Sequence, residues 1–240
     1  MIKYFSGLGL VLKNYSDGLG HLIFTNVCLH CNNELILSEK YLCFTCWEQL
    51  ESTYFEKEQQ ANKVERIFWG RVKIKHACSV YFYAKGSVSQ SLIRALKYDF
   101  KAPLGIYLGE LMAQKLVGHP LSKCDFLLPV PIHPRKKFAR GYNQSELLAR
   151  GLSKSWGTPI LKQLVRKKGY TKSQTKLDRF GRWDNVQDIF RSTELLKSRS
   201  HVLIVDDVIT TGATLEALVR AIQVVNPDIQ ISLLSFAFTK

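Results

Sequence analysis

The sequence predicts an α/β fold, in which helices flank a parallel sheet and a small cysteine-rich module precedes it. Strand-like and helix-like apolar patterns alternate from about residue 76 onward, which is typical of a parallel sheet covered on both faces. The apolar run Val202–Val205 ends in two carboxylates and a loop of small residues, as a buried parallel strand leading to a ligand loop does. Two Cys-x-x-Cys pairs lie within the first 50 residues and define the smaller module.

Composition sets the scale of the molecule. The chain has 240 residues, 46% hydrophobic and 22% charged, which are globular values with room for one main core and a small appendage. We expect an N-terminal helix and cysteine module over residues 1–60 and the main domain over 61–240, with Tyr4–Phe24 as the helix. No apolar run is long enough to span a membrane, and no secretory signal pattern opens the chain, so cytoplasmic localisation is expected.

The cysteine module predicts a metal site. Cys28, Cys31, Cys43 and Cys46 form two Cys-x-x-Cys pairs, and four thiolates can enclose Zn²⁺ in a closed structural site that leaves no position for catalysis. Two disulfides or a redox-active pair are the alternatives, and cytoplasmic residence argues against the disulfides. His21 or His30 could replace one cysteine ligand.

The remaining elements follow in order along the chain. Strands are predicted at His76–Tyr83, Cys124–Val130, Pro159–Val165, His201–Val205 and Ile229–Phe238, and helices at Val88–Tyr98, Pro103–Val117, Gln144–Trp156 and Ala213–Val225. Residues 51–66 are predicted to be an exposed helix end or a linker. Ligands of such sheets bind beyond the carboxyl ends of the strands, so the loops after Val130, Val165 and Val205 should surround one pocket.

The segment after Val205 has the residue types of a sugar-phosphate site. Asp206 and Asp207 can hold ribose hydroxyls, directly or through a hydrated Mg²⁺. The loop that follows consists of Thr210, Thr211, Gly212, Ala213 and Thr214, and its amides can bind a phosphate at the start of the next helix. The alternative is a buried strand with an acidic turn.

A basic segment supplies candidate anion ligands. Residues 131–182 contain 14 Lys plus Arg and 2 acidic residues, a net +12 of the chain's +14. His133, Arg135 and Arg140 follow one predicted strand, and Arg166, Lys168, Gln174 and Arg182 follow another; guanidinium groups bind phosphate as a fork. A solvated face is the alternative. Aromatic residues among these bases could stack nucleobases or could be core and lid residues; they are Phe138, Tyr142, Tyr170, Phe180 and Trp183.

The acid-and-threonine segment resembles the phosphoribosyl pyrophosphate (PRPP) motif of type I phosphoribosyltransferases. Together with three other motifs in order, it resembles the ComF family of competence proteins from about Phe24 to Phe238. The other motifs are the four cysteines, Pro129-Val130-Pro131 with Arg135 and Arg140-Gly141-Tyr142-Asn143-Gln144, and the set Thr171, Gln174, Leu177, Arg182, Asn185 and Phe190. Asn32 and Trp47 stand where a zinc knuckle often has glycine, and Asn tolerates the left-handed conformation.

The resemblance implies a type I phosphoribosyltransferase-like fold with an N-terminal zinc finger. It implies that Asp206 and Asp207 are catalytic and bind the ribose, that residues 210–214 bind the 5′-phosphate, and that the loop after Val130 receives pyrophosphate. The loop over residues 166–182 would close over the ligand. It further implies a role in natural transformation, in which single-stranded DNA is handled.

Three functions remain open on this basis. The first is a PRPP- and Mg²⁺-dependent transferase whose acceptor the sequence does not identify. The second is a PRPP-sensing regulator without turnover, and the third is a nucleic-acid-binding module on a borrowed fold. The zinc module is in addition a candidate docking surface for a partner helicase or membrane channel.

Overall fold

The computed structural model describes residues 26–58, 61–99, 101–161, 164–167, 190–192 and 195–240. The predicted helix Tyr4–Phe24 lies outside these residues. The chain divides into two compact units, Met1–Leu50 and Glu51–Lys240. Within the described residues, no helix is both long and apolar enough to cross a bilayer.

The small unit is built on two cysteine turns. In the first turn, Cys28 N donates to Asn33 O at 2.8 Å and Asn32 N donates to Cys28 O at 3.0 Å. Asn32 has φ 61°, the left-handed conformation expected of an asparagine in the place of glycine. The second turn opens helix α1 (Phe44–Glu48), whose first amide donates to the Glu39 carboxylate at 2.7 Å.

The large unit alternates strands and helices. Its strands are β1 (Ala77–Tyr83), β2 (Phe126–Pro129), β3 (Val165–Lys167), β4 (Phe190–Ser192), β5 (His201–Ile209) and β6 (Gln230–Thr239). Its helices are α2 (Lys63–Phe68), α3 (Val88–Tyr98), α4 (Ala102–Lys115), α5 (Pro134–Arg140), α6 (Gln144–Trp156) and α7 (Ala213–Val225), and short 3₁₀ turns occur at Phe55–Lys57 and Pro120–Lys123.

The main sheet is parallel with strand order β1-β6-β5-β2, as the alternating pattern predicts. Its central strands are covered on both faces: Val202–Val205 on β5 and Leu233–Leu234 on β6 have no exposed surface. This continuous burial explains why β5 has an unbroken apolar run over Val202–Val205, whereas the run of β6 is interrupted by the buried Ser232 and Ser235. The fold class predicted from the sequence is confirmed.

Helices pack on this sheet. Helix α3 contacts β1, α4 contacts β6, and α6 contacts both β2 and β5, while α4 also packs against α3 and α6. Helices α4 and α6 approach each other closely at two glycines. A Cβ on Gly109 would lie 2.2 Å from Leu148 O, and a Cβ on Gly151 would lie 2.1 Å from Ile106 O. The first turn of α6 is therefore held at a fixed place near the carboxyl ends of β2 and β5.

Two predicted elements differ in kind from the structure. The prediction of one strand over Pro159–Val165 is wrong: of the described residues in that range, Ile160 forms a parallel bridge to Leu127, and Val165 begins β3, which pairs with β4 in a separate antiparallel ribbon. A short apolar run does not by itself distinguish a bridge at the sheet edge from a full strand. Helix α5 was predicted as loop because it buries none of its residues, so no apolar periodicity marks it. Its boundaries, Pro134 at the start and the left-handed Gly141 after the end, are the only local signal.

Candidate functional site

The acid pair lies on the part of β5 that extends beyond the end of β2. The β2–β5 ladder ends at Pro129 opposite Val205, whereas β5 continues beside β6 to Ile209 opposite Phe238. The strand is thus four residues longer than predicted, and Asp206 and Asp207 belong to it. On the β6 side, the ladder pairs Asp206 with Ser235 and Val208 with Ala237, and neither acid has a ladder partner on β2.

The described residues contact the Asp206 carboxylate through one of its oxygens, Oδ1. Its Oδ1 accepts hydrogen bonds from Ser145 Oγ at 3.0 Å and from Asp207 N at 2.9 Å. Among the described residues, no hydrogen bond or ion pair reaches its Oδ2. Burial and, secondarily, the charge of Asp207 raise the pKa of Asp206 to about 7. Ser145, at the start of α6, was not among the predicted site residues.

Asp207 is engaged at both carboxylate oxygens. Its Oδ1 accepts from Val208 N at 2.8 Å, and its Oδ2 lies 2.7 Å from Lys97 Nζ on α3. The side chains of Lys97 and Asp207 are 25% and 14% exposed, so this ion pair is shielded from much of the solvent. The sequence did not reveal Lys97, because a lysine on an amphipathic helix normally marks a solvated face.

The loop after the acid pair forms a small open cleft of about 260 Å³. Asp206, Val208 and Ile209 line it together with residues 210–215. Gly212 caps α7 with φ 76° and has no side chain to accept from the first-turn amides. Ala213 N has only a long 3.5 Å contact to Thr211 Oγ1. These amides are positioned to bind an anion at the positive end of a 13-residue helix.

An arginine pair and one glutamate brace this loop from outside the cleft. Arg71 Nη1 donates to Thr211 O at 3.0 Å, and Arg71 Nη2 is paired with the Glu216 carboxylate. Arg220 Nη2 lies 2.9 Å from Glu216 Oε1 and donates to Arg71 O at 2.7 Å. Burial opposes ionisation of Glu216, but Arg220 and Arg71 outweigh it and hold the pKa of that carboxyl below its usual range. The loop conformation is therefore set by residues 140 positions apart in the chain.

The loop that connects β2 to α6 begins and ends close to Asp206. Val130 N donates to Val205 O at 2.9 Å, and Asn143 Nδ2 donates to Val130 O at 2.9 Å. Asn143 also caps α6 by accepting from Ser145 N at 3.1 Å. Residues 131–142 thus form an excursion whose two ends are anchored next to the acid pair.

The predicted basic residues of this excursion have different roles. His133 caps α5, where its Nδ1 accepts from Arg135 N at 3.2 Å. The Arg135 side chain is exposed, and the Arg140 guanidinium lies 5.6 Å from the centre of the Tyr98 ring. Tyr142 OH donates to Leu96 O at 2.8 Å and joins the excursion to α3.

The structure thus brings some of the predicted site residues together and leaves others unplaced. Asp206 and residues 210–214 line one cleft, Asp207 is the next residue on β5, and the loop of His133, Arg135 and Arg140 is anchored beside the cleft. The backbone of Arg166 lies on β3. Lys168, Gln174 and Arg182 lie outside the described residues.

The four predicted cysteines form a cluster in the small unit. The sulfur atoms of Cys28, Cys31, Cys43 and Cys46 all lie within 4.8 Å of one another, and those of Cys31 and Cys43 are 3.7 Å apart. Tetrahedral thiolate ligands about 2.3 Å from a zinc ion would be separated by about 3.8 Å. A disulfide needs about 2.05 Å, and all six cysteines are free. His30 is not part of the cluster, and His21 lies outside the described residues.

Backbone donors favour an ionised sulfur at Cys28, whereas burial raises the pKa of the Cys46 thiol. Burial opposes ionisation of Cys28, but N–H groups of Cys31, Cys43 and His30 outweigh it and lower the pKa of the thiol to about 6. A thiolate is the form that binds a metal ion. The cluster therefore has the donor set and the spacing of a structural metal site.

Comparisons with known proteins agree with this geometry. A family model described as "Phosphoribosyl transferase domain" matches residues 143–237. The chain is 26% identical to "Competence protein F" of Haemophilus influenzae over 216 residues, which covers 82% of this chain and 90% of that protein. It is 32% and 31% identical to "DNA utilization protein YhgH" of Salmonella typhi and of Escherichia coli K12, and in both cases the match spans 54% of this chain and 58% of the relative.

A solved structure of adenine phosphoribosyltransferase from Leishmania tarentolae also aligns, with a TM-score of 0.35 and 9% identity over 74% of this chain and 88% of that one.

The parallel sheet, with its matching family model, defines a phosphoribosyltransferase-type domain. The cysteine cluster and the similarity to competence protein F of Haemophilus influenzae together support the resemblance to the ComF family seen in the sequence motifs.

The raised pKa of Asp206 predicts a pH-dependent stability. Because the folded-state pKa is about 7 and the ordinary value is 3.8, the folded protein keeps a proton that the unfolded chain releases between those values. The contribution of this proton to the free energy of unfolding is full below about pH 4 and is lost as the pH rises through about 7. Asp206→Asn should therefore be more stable than wild type at pH 8, by about 2 to 4 kcal/mol, with the difference shrinking toward pH 4.

Urea unfolding at pH 8, 6 and 4.5, without ligand, measures this difference. Asp228→Asn, at an exposed position, is the matched control and should follow wild type at every pH. Parallel pH profiles for wild type and Asp206→Asn would contradict the predicted environment of Asp206.

Proposed function

We propose that this protein binds PRPP with Mg²⁺ at the cleft lined by Asp206 and residues 210–214, with help from the adjacent Asp207, and that it acts as a phosphoribosyltransferase-like protein in DNA uptake. One observation carries the proposal: β5 continues beyond the end of β2 and presents a carboxylate and a phosphate loop to the same cleft. The family model covers this segment.

Each part of the cleft suits one part of the ligand. The first-turn amides of α7 suit the 5′-phosphate, because they are uncapped by a side chain and lie at the positive helix end. Asp206 Oδ2 suits a ribose hydroxyl or the hydration shell of Mg²⁺, because carboxylate oxygens are the ligands that this ion prefers. The excursion of Arg135 and Arg140 supplies cations for pyrophosphate next to the acid pair.

The same arrangement fits transfer at carbon 1 of the ribose. Loss of pyrophosphate builds positive charge on the ribose, and the fixed carboxylates of Asp206 and Asp207 stabilise that charge without reorganising. When bound, Mg²⁺ neutralises the leaving pyrophosphate. Binding without turnover, as in a sensor, would use the same residues, so the experiment must separate the two.

The names of the relatives point to the cellular process. Haemophilus influenzae competence protein F and the YhgH DNA utilization proteins support a part in natural transformation, in which single-stranded DNA is handled. Cytoplasmic residence follows from this proposal. A partner helicase or membrane channel for the cysteine module stays a prediction.

Calorimetric titration of PRPP with Mg²⁺ tests the binding site. Wild type should bind, and the double variant Asp206→Asn/Asp207→Asn should lose at least about 100-fold in affinity, because each acid contributes a charged hydrogen bond worth about 1.5 to 3 kcal/mol. Asp125→Asn/Asp228→Asn, at positions distant in sequence from the cleft loop, is the control for a general loss of negative charge.

Two outcomes of this titration are decisive. Absence of binding by folded wild type would refute both the enzyme and the sensor. Binding followed by pyrophosphate release in the presence of nucleobases or amines would identify a transferase, whereas binding without release would identify a sensor.

A specific observation favours single-stranded DNA as a second ligand. Phe138 on α5 is 92% exposed, and Arg135, Lys136 and Lys137 on the same helix are exposed as well. Bases stack on an exposed aromatic ring while neighbouring cations bind the phosphates. Helix α5 is therefore the described surface best suited to a strand of nucleic acid.

Replacement of this ring should weaken DNA binding. Phe138→Ala should lower the affinity for single-stranded DNA by about tenfold, since one stacked base contributes about 1 to 3 kcal/mol, and should leave the salt dependence unchanged. Lys136→Ala/Lys137→Ala should instead reduce the slope of log affinity against log salt by about 1.4. Fluorescence anisotropy at three salt concentrations measures both, with the exposed Val224→Ala as control. Equal affinity of Phe138→Ala and wild type would remove α5 from the DNA site.

The cysteine cluster holds a structural zinc ion in this proposal. Purified protein should contain one zinc per chain, and Cys46→Ser should lose it, because a hydroxyl is a poor replacement for a buried thiolate. Elemental analysis measures the content, and the buried but unclustered Cys124→Ser is the control. Full zinc content in Cys46→Ser would contradict this assignment of the ligands.

A further inference from the structure

Asp206 and Asp207 differ in the contacts of their carboxylate oxygens in the ligand-free protein. Asp207 has one oxygen bound to a backbone amide and the other paired with Lys97 Nζ at 2.7 Å. Asp206 has one oxygen bound to Ser145 and to the Asp207 amide, and among the described residues its second oxygen has no such contact. If PRPP binds as proposed above, Asp206 can meet it at once, but Asp207 must first give up the lysine.

The end of α3 is built into the site through three consecutive residues. Leu96 O accepts from Tyr142 OH at 2.8 Å, Lys97 is paired with Asp207, and the Tyr98 ring lies under Arg140 at 5.6 Å. Two of these contacts reach the excursion after β2 and the third reaches the acid pair. Lys97 is therefore held between the ribose-binding carboxylates and the loop proposed for pyrophosphate.

We propose that Lys97 is the counter-cation of the acid pair in the ligand-free protein, and that Lys97 releases Asp207 to the ribose hydroxyls or to Mg²⁺ when the ligand binds. The inference rests on the proposed PRPP site and specifies how that site is controlled. An ammonium group compensates a carboxylate strongly where solvent is partly excluded, so Asp207 is shielded until another cation or hydrogen-bond donor replaces the lysine. The released ammonium then lies beside a ligand that carries several negative charges.

This exchange makes Lys97 set the dependence of binding on Mg²⁺. Without Mg²⁺, the lysine is the cation that offsets the acids as the anionic ligand approaches. With Mg²⁺ present, the metal ion offsets the negative charge of the acids, and the lysine competes with the ligand and the ion for Asp207. Removal of the ammonium should therefore weaken binding without Mg²⁺ but preserve or strengthen it at saturating Mg²⁺. A purely structural residue would change both affinities alike.

Calorimetric titration of PRPP with 10 mM EDTA or with saturating Mg²⁺ tests this inference on full-length Lys97→Met, Lys97→Arg and wild type, at about the same ionic strength. The ratio of the two affinities should be at least about tenfold larger in Lys97→Met, and Lys97→Arg, which keeps the charge, should remain near wild type. Lys154→Met is the matched control, because it breaks a 2.6 Å lysine–glutamate pair between α6 and α4 away from the cleft. Circular dichroism melting verifies folding of each variant.

Each outcome is decisive. A ratio raised by Lys97→Met alone supports the inference. An equal loss with and without Mg²⁺, or no change, overturns the inference while the PRPP site stands. Absence of PRPP binding by every protein overturns the proposed function and this inference together.

Discussion

The parallel pairing of β5 with β6 is the interaction on which the site depends. It continues for four residues after β2 has ended, and those residues include both acids of the proposed site. Because β5 is buried on both faces before that point, its direction is fixed by the core and not by the loop that follows. The strand places the Asp206 carboxylate, hydrogen bonds to one oxygen fix its orientation, and the second oxygen is left available to a ligand.

The position of Asp206 has an energetic cost. A carboxyl group whose pKa is raised to about 7 by burial is unfavourably ionised at neutral pH. A site of this kind is less stable with its acid charged than a core of neutral residues would be, and functional sites commonly carry such a cost. The Arg71–Glu216–Arg220 cluster acts in the opposite direction on the neighbouring loop, where opposite charges stabilise each other and secure the backbone at Thr211.

The sequence located the parts of this protein that are local in the chain. The four cysteines, the central strands and the acid-and-threonine segment each lie within a short stretch whose residue types and spacing carry the signal. Lys97, Ser145 and Arg71 could not be located in this way, because they come from three different helices or turns and reach the cleft only through packing. Helix α5 was not predicted for a different reason: it has no buried face, so its sequence shows no helical periodicity of apolar residues. The ligand roles of the predicted site residues stay predictions, because geometry alone does not show what occupies a cleft.

The strand order has a consequence for how the chain is made. Strand β1 pairs along its length with one edge of β6, and β5 pairs with the other edge, so the first strand and the acid-bearing strand are joined in the sheet through a strand that follows both in the chain. Until the ribosome has passed residue 239, the edges of β1 and β5 that face β6 are open. A message truncated before that codon would yield a product with two unpaired apolar strand edges, a form prone to aggregate. Proteostasis therefore favours keeping the segment 230–239 intact.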